Sequence, residues 1–357
     1  MVTHLIVGAT VAQLPKHQHE VNSKHTLSTQ HRVIMGALCA VLPDIDYLLF
    51  FINPFEFITS WHRAETHSII LIPLWAWLAS RLIILILDLK KFSTVIFFIC
   101  LAAMLSHLFL DCLTSFGVQL FAPLSQYRLS WQLLFVVDPY FTLLCCITCC
   151  LTFTWRRPHL QFISVLIPCC YLITVLVIKQ YASLQAYSLA KESHEIQPIK
   201  LFPQPFSPFY WQILQTTDNG VNLAYLKLVN DHFAIKFCEL VNVSNCRQSY
   251  QLSEQLRWHF QSKLPTNEAW QADALEVWHH SKFSAFHEFT DYGVFWKYQQ
   301  TPSSVCVWFS DLRYHWPNIT PSFRFGMCKT NTSPWQLYRL RYFSEDVVNN
   351  EGTKTIN

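Results

Sequence analysis

Long apolar runs dominate the chain as far as about Tyr181, after which charges, Gln, Asn and Pro return. Four runs are long enough to cross a bilayer, which takes about 20 apolar residues: Ser68–Leu89, Ser93–Leu113, Trp131–Trp155 and Leu160–Ile178. The stretch from Phe162 to Ile178 carries no charge. Arg81 interrupts the first run, where its long stem lets the guanidinium snorkel or pack against protein. Two shorter runs, His4–Leu14 and Val33–Ile52, read as half-length or interfacial helices joined by a polar, His-rich loop, Pro15–Arg32. No cleavable signal peptide is expected, because no basic segment precedes His4–Leu14 and no small-residue cleavage site follows it.

Beyond Tyr181 the apolar positions alternate. Strands are expected near Tyr210–Gln215, Asn222–Val229, Phe233–Val241, Ser304–Phe309 and Leu337–Phe343. Helices are expected over Ser253–Lys263, with Ser253 as N-cap, and over Asn267–His280. Residues 346–357 are polar and read as a disordered tail. The expected fold is an all-α polytopic membrane domain over residues 1–181, with about four spans plus short N-terminal apolar helices. A soluble α+β domain over residues 195–345 follows it.

Composition agrees with this division. Of 357 residues 52% are hydrophobic and only 14% charged, against roughly 25% in ordinary soluble proteins. The mean hydropathy of +0.21 averages an apolar half with a polar one. A net charge of +3, with no basic patch interleaved with aromatics, gives no reason to expect nucleic acid as a partner. Lys90-Lys91 and Arg156-Arg157 flank expected spans and should face the cytoplasm. Counting spans then puts the 111–130 loop and everything after Tyr181 outside. Of the 13 cysteines, nine lie in the apolar half and read as small hydrophobes. Cys238, Cys246, Cys306 and Cys328 remain, an even number that fits disulfides in an outer domain. Cys238–Cys246 with Cys306–Cys328 is one of three possible pairings, and the absence of a CxxC pair disfavours a zinc site there.

The candidate chemistry lies in the apolar half, where an ionised side chain costs roughly 2.5–3.5 kcal/mol on insertion scales and needs a partner. His107 and Asp111 share a helix face at i,i+4, which suits two ligands of one metal or a plain hydrogen bond. In Pro43-Asp44-Ile45-Asp46 the two carboxylates point the same way if the segment is extended; if it is helical they diverge and only one can join a site. His62-Arg63-Ala64-Glu65-Thr66-His67-Ser68 directly precedes a span. His67 reads as a neutral ligand, His62 as a ligand or proton shuttle, and Arg63 as a counter-charge for an anionic substrate, whereas Glu65 and Thr66 read as ordinary loop. His4 is a further candidate ligand, and Asp138 a buried acid with a structural or a functional role. Imidazole with carboxylate suits zinc first, then manganese or iron, and a divalent ion of this kind activates water for hydrolysis. No Ser-His-Asp, Cys-His or glycine-rich phosphate loop competes, and His279, His280 and His287 lack acidic companions at ligand spacing.

Taken in order, Thr3-His4-Leu5, Leu42-Pro43-Asp44-Ile45-Asp46, His62-Arg63, Thr66-His67-Ser68, Ser106-His107, Asp111-Cys112-Leu113-Thr114, Phe116-Gly117-Val118-Gln119-Leu120 and Val137-Asp138-Pro139 form a pattern. It resembles the LexA-binding, inner-membrane-associated hydrolase family, the YdjM-like, membrane-bound metal-dependent hydrolases. The resemblance covers residues 1 to about 180, and continues loosely through Pro208-Phe209-Tyr210-Trp211 and Ser310-Asp311-Leu312-Arg313-Tyr314. It implies a bacterial inner-membrane protein with a metal site made by His62, His67, His107, Asp111, Asp44 and Asp46, with His4 as a further member. Ala64-Glu65 departs from the family's usual Gly and apolar residue and puts that turn in question.

Three functions stay open. The first is a metal-dependent hydrolase of an interfacial or lipid-like ester, such as a phosphoester. There His67, His107, Asp111 and Asp44 hold the ion, Asp46 or His62 moves a proton, and Arg63 steadies the anion. The second is a phosphohistidine-type membrane phosphatase, whose Ser-Gly-His segment is lacking here. The third is a non-catalytic, metal-stabilised scaffold whose outer domain binds a partner. Oligomeric state has no signature in the chain.

Overall fold

A computed structural model describes residues 1–14, 27–155, 158–191, 198–240, 249–342, 344 and 347–349. The chain divides into two compact units, Met1–Asp46 with Arg63–Ile178, and Tyr47–His62 with Lys179–Asn357.

The first unit is helical: α1 (Val2–Val11), α2 (Thr29–Val41), α3 (Ile72–Leu87), α4 (Ser93–Cys112), α5 (Pro139–Thr154) and the first part of α6 (Pro158–Lys191). Ser28 caps α2 by accepting the His31 N–H, and a 3-10 segment, Leu42–Phe51, continues it. Helix α4 is the centre of the unit and packs against α1, α2 and α3. Its buried face carries Ile96, Ile99, Cys100, Ala103, Met104, His107 and Asp111. Gly8 of α1 and Gly36 of α2 lie backbone to backbone, and a Cβ on either would meet the other's carbonyl oxygen. Small residues permit this approach in apolar bundles.

The outward faces are apolar too. Leu85 is 79% exposed and Val177 63%, where a water-soluble helix would carry charge. Among the described residues three helical runs are long and apolar enough to span a membrane: Thr29–Phe51, Lys90–Cys112 and His159–Leu189. A fourth exists if Pro54–His67 and Ile72–Leu87 count as one broken span. The expected segments shift accordingly. Val33–Ile52, read as half-length, belongs to a 23-residue helical run. Trp131–Trp155 shortens to the 16 residues of α5 because Asp138 caps the Phe141 N–H and Pro139, lacking an N–H, occupies the first turn. Arg81 lies over the Trp77 ring one turn away on α3, 5.6 Å from its centroid. All nine apolar-half cysteines are free.

The second unit holds two antiparallel sheets. The strands β1 (Ile199–Pro203), β2 (Tyr210–Thr216), β3 (Gly220–Lys227) and β4 (His259–Ser262) pair in chain order. So do β5 (Gly293–Gln300), β6 (Ser304–Asp311), β7 (Arg324–Thr330), β8 (Ser333–Leu340) and β9 (Val347–Asn349). Helix α7 (His232–Leu240) replaces the strand expected at Phe233–Val241, because Asp231 Oδ1 accepts the N–H groups of Phe233 and Ala234 and starts a helix. The helix expected over Ser253–Lys263 is a 3-10 turn, Ser253–Gln255, followed by β4, which pairs Phe260 with Asn222 along the edge of β3. Helix α8 (Glu268–Trp278) forms where expected, capped by Asn267. Val347–Asn349, placed in a disordered tail by the sequence, pairs with β8. Cys306 and Cys328 are bonded across β6 and β7. Cys238 is also disulfide-bonded, while its expected partner Cys246 lies outside the described residues. Phe55, from the segment between Asp46 and Arg63, is fully buried in this unit against Phe283 and Phe325.

A buried ion pair ends β6. Asp311 receives Nε and Nη2 of Arg313 at 2.7–3.1 Å, and Arg313 also donates to the Phe289 carbonyl. Asp311→Ala is expected to lower unfolding free energy by about 3–5 kcal/mol, since it leaves a buried guanidinium with only the longer 3.4 Å pairing to the exposed Asp291; a thermal-unfolding midpoint unchanged from wild type would refute the assignment. Next to this pair, burial pushes His315 down to about 4, with Asp311 acting upward and Arg324 downward. Unfolded chain takes up this proton near pH 6.5 while folded chain resists it to about pH 4, so stability falls as pH drops through that window. The slope should reach at most about 1.4 kcal/mol per pH unit and flatten in His315→Gln, measured as unfolding midpoints of the whole chain against pH.

Candidate metal centre

Four side chains from three segments converge at one end of the first unit. Asp44 comes from the 3-10 segment after α2, His67 from the turn before α3, and His107 and Asp111 from the last turns of α4. All four are buried, with His67, His107 and Asp111 at 0% exposure. Nε2 of His67 and Nε2 of His107 are 3.0 Å apart. Asp111 Oδ2 lies 3.3 Å from His67 Nε2 and 3.2 Å from His107 Nε2, and Asp44 Oδ1 lies 3.6 Å from each.

These distances test the fit of an ion. Four donors bonded tetrahedrally at about 2.0–2.2 Å are separated by about 1.6 bond lengths, or about 3.3–3.6 Å. The separations of 3.3–3.6 Å match that edge length, and those of 3.0 and 3.2 Å at His107 Nε2 are a few tenths of an ångström shorter. Asp111 Oδ2 has no hydrogen-bond donor aimed at it although it is fully buried, a cost that a cation removes. The donor set, two imidazoles and two carboxylates, can hold a divalent ion.

The surroundings orient the donors. His107 Nδ1 donates to the Ala40 carbonyl at 2.6 Å, which fixes the tautomer and presents the Nε2 lone pair to the group. His67 Nδ1 meets the Thr66 hydroxyl at 2.8 Å and lies 3.7 Å from Asp46 Oδ2. Asp111 turns its other oxygen, Oδ1, towards Arg63 Nη2 at 2.8 Å and His4 Nε2 at 3.1 Å. Arg63 also donates through Nη1 to Thr114 Oγ1. Its own φ is +58°, a left-handed value costly for a side-chain-bearing residue. It is held there from both sides, the Arg63 N–H donating to Asp46 Oδ2 and the Arg63 carbonyl accepting from Gln119 N. Ala64, which stands where the family usually has Gly, has φ −104° and ψ −111°, neither α nor β.

The expected site residues therefore sort into two sets. Asp44, His67, His107 and Asp111 form the donor group. Asp46 stands behind His67, and Arg63 and His4 stand behind Asp111. Arg63 is engaged with Asp111 and Thr114 rather than standing free for a substrate anion. His62 is not in the group; its ring packs against Tyr47 and Phe57, 4.8 Å from each centroid. Asp138 spends its carboxylate on the Phe141 N–H and the Tyr171 hydroxyl, a structural role. Thr66, read as ordinary loop, contacts a donor imidazole, and Ala40 acts through a backbone carbonyl that no side-chain pattern reveals.

A family model described as YdjM inner membrane protein matches residues 1–182. No curated protein and no solved structure matches the chain.

The purified full chain, loaded with a divalent metal and desalted, is expected to keep about one ion per molecule. His107→Ala should abolish retention, and Asp46→Asn should weaken affinity about 10–100-fold by releasing His67. Elemental analysis and chelator competition measure both, and equal metal content in wild type and His107→Ala would disprove the centre.

Proposed function

Because the chain belongs to the YdjM inner membrane protein family, we propose that its buried Asp/His group makes it a multi-pass, metal-dependent membrane hydrolase of interfacial, lipid-like esters, phosphoesters among them. Zinc suits the donor set first, manganese or iron next. When bound, such an ion supplies Lewis acidity and activates water near neutral pH.

The observation that carries this reading is the unequal support of the four donors. His107 is fixed by the Ala40 carbonyl, His67 by Thr66, and Asp111 by Arg63 and His4. Asp44 meets the two imidazoles from the side open to least support, at the longest separations in the group. Hydrolytic zinc sites keep one position for water beside three protein donors, so this reading requires Asp44, the donor with the longest separations, to yield its place to water during turnover. In this reading Arg63 places Asp111 through Nη2, and Asp46 orients His67.

Orientation follows from the same helices. Lys90-Lys91 precede α4, and His107 lies 17 residues further on, about 25 Å along a helix. With the lysines at the cytoplasmic face, the donor group sits towards the outer leaflet, and the C-terminal domain, reached through α6 after Arg156-Arg157, lies outside.

The scaffold reading retains one specific observation in its favour: four protein donors stand together, the number that fills a structural zinc site without water. Hydrolysis of a long-chain aryl phosphodiester in mixed micelles separates the two. The hydrolase reading expects turnover that a chelator removes, zinc restores, and His107→Ala and Asp44→Asn lower by at least about 100-fold. Chelation that lowers the unfolding midpoint while no ester is turned over under any metal would establish the scaffold instead.

A further inference from the structure

The segment Tyr47–His62 packs as part of the second unit, yet its first residues are the end of the apolar helical run Thr29–Phe51. The second unit is therefore tied by the chain itself to the point where a membrane-spanning run stops. At that point Phe51 is 83% exposed, Ile52 68% and Leu48 63%. Single exposed apolar residues carry no message, but three neighbours at the end of such a run mark a surface that meets lipid.

Beside this turn lies a cation without a counter-ion. Arg339, near the end of β8, sets its guanidinium over the rings of Phe50 and Tyr342, 5.3 and 5.8 Å from their centroids. Those two rings are themselves stacked, 6.4 Å apart. The rings engage its charge, but Nε is buried without a hydrogen-bond partner. Arg341, two residues on, is exposed. Burial, with the Arg341 charge adding to it, pushes the Arg339 guanidinium below its ordinary value; Tyr342 acts upwards, and no carboxylate of the described residues offsets the rest. The other guanidiniums of this unit show the contrast. Asp311 holds Arg313, and the Arg341 and Ser344 carbonyls accept from Arg324.

Two properties select the missing anion. A guanidinium is a planar fork of donors that fits a phosphate, and a second one beside it with no acid in reach raises the demand for negative charge. A soluble anion would gain nothing from Leu48, Phe51 and Ile52, whereas a molecule with a phosphate head and hydrocarbon tails satisfies both parts of the surface. At a bilayer surface that molecule is an anionic phospholipid, and each basic side chain there adds to the attraction.

We propose that Arg339 and Arg341 bind the phosphate of an anionic phospholipid at the bilayer surface, with Leu48, Phe51 and Ile52 lying among its acyl chains. The site uses no residue of the donor group and holds whether or not the chain hydrolyses esters.

The test is native mass spectrometry of the detergent-purified full chain titrated with phosphatidylglycerol, with phosphatidylcholine and inorganic phosphate in parallel arms. Phosphatidylglycerol is expected to stay bound at concentrations where phosphatidylcholine does not. Arg339→Gln should weaken its retention about tenfold, the factor that loss of one hydrogen bond to a charged group carries. Arg339→Lys, which keeps the charge without the fork, should recover only part of that loss. Arg341→Gln alters an exposed side chain and should weaken retention in the same direction; it decides the matter if Arg339→Gln does not fold. Retention unchanged in the Gln variants, or equal retention of phosphatidylcholine, overturns the proposal. So does an equal loss in Lys90→Gln with Lys91→Gln, which would mean a general attraction to charge. Inorganic phosphate that displaces the lipid at equal concentration makes this a free-phosphate site, and a dimer that the Gln variants dissociate puts a second copy on this face; either result refutes the lipid.

Discussion

Uncompensated negative charge inside an apolar bundle is the constraint on which the first unit depends. Asp44, Asp46 and Asp111 stand within reach of one another's partners, and Arg63 Nη2 meets Asp111 while the Arg63 N–H donates to Asp46. Carboxylates thus gather among groups almost wholly removed from water. Such a cluster is costly unless something positive joins it. A divalent ion between the two imidazoles would supply that positive charge. The close approach of α1 to α2 at Gly8 and Gly36 follows from the same need, since it brings His4 and the Ala40 carbonyl up to the residues they hold.

Much of this centre was legible in the sequence because helical spacing is a local property. The i,i+4 relation of His107 and Asp111 holds in any α-helix, and the apolar context made their pairing conspicuous. Arg63 and His4 were visible as residue types but not as roles. Nothing local shows that a guanidinium left-handed at its own backbone will turn towards Asp111 instead of a ligand. His62 looked equivalent to His67 by composition, and only the path of the chain after Asp46, running into a segment buried with Phe283 and Phe325, puts its ring among aromatics.

Elsewhere capping and edge pairing overrode periodicity. Phe233, Ile235 and Phe237 fit an alternating reading, and Asp231 decides the matter by accepting two backbone donors that a strand would need for its ladder. Phe260 and its neighbours lack strong strand character, but β3 offers an edge whose backbone groups require partners. The apolar run around Trp131 was long enough to span, yet Pro139 fixes where its helix can begin. Length of an apolar run bounds a helix from above, and caps determine how much of it is used.

The division of labour between Asp44 and Asp46 shows how a small change of pitch assigns chemistry. In an extended segment residues i and i+2 share a face, and both carboxylates would crowd one side of His67. A 3-10 turn has three residues per turn, so positions two apart lie about 240° around the axis. Asp44 then faces His67 Nε2 at 3.6 Å, while Asp46 reaches Nδ1 of the same ring at 3.7 Å and accepts the Arg63 N–H. The imidazole is thereby flanked at both nitrogens by carboxylates from a single turn, one on the ion's side and one behind. An α-helical continuation of α2 would put residue i+2 about 200° round the axis, nearly opposite, whereas the 3-10 pitch leaves the two carboxylates about 120° apart, so one short segment supplies both a donor and its orienting partner.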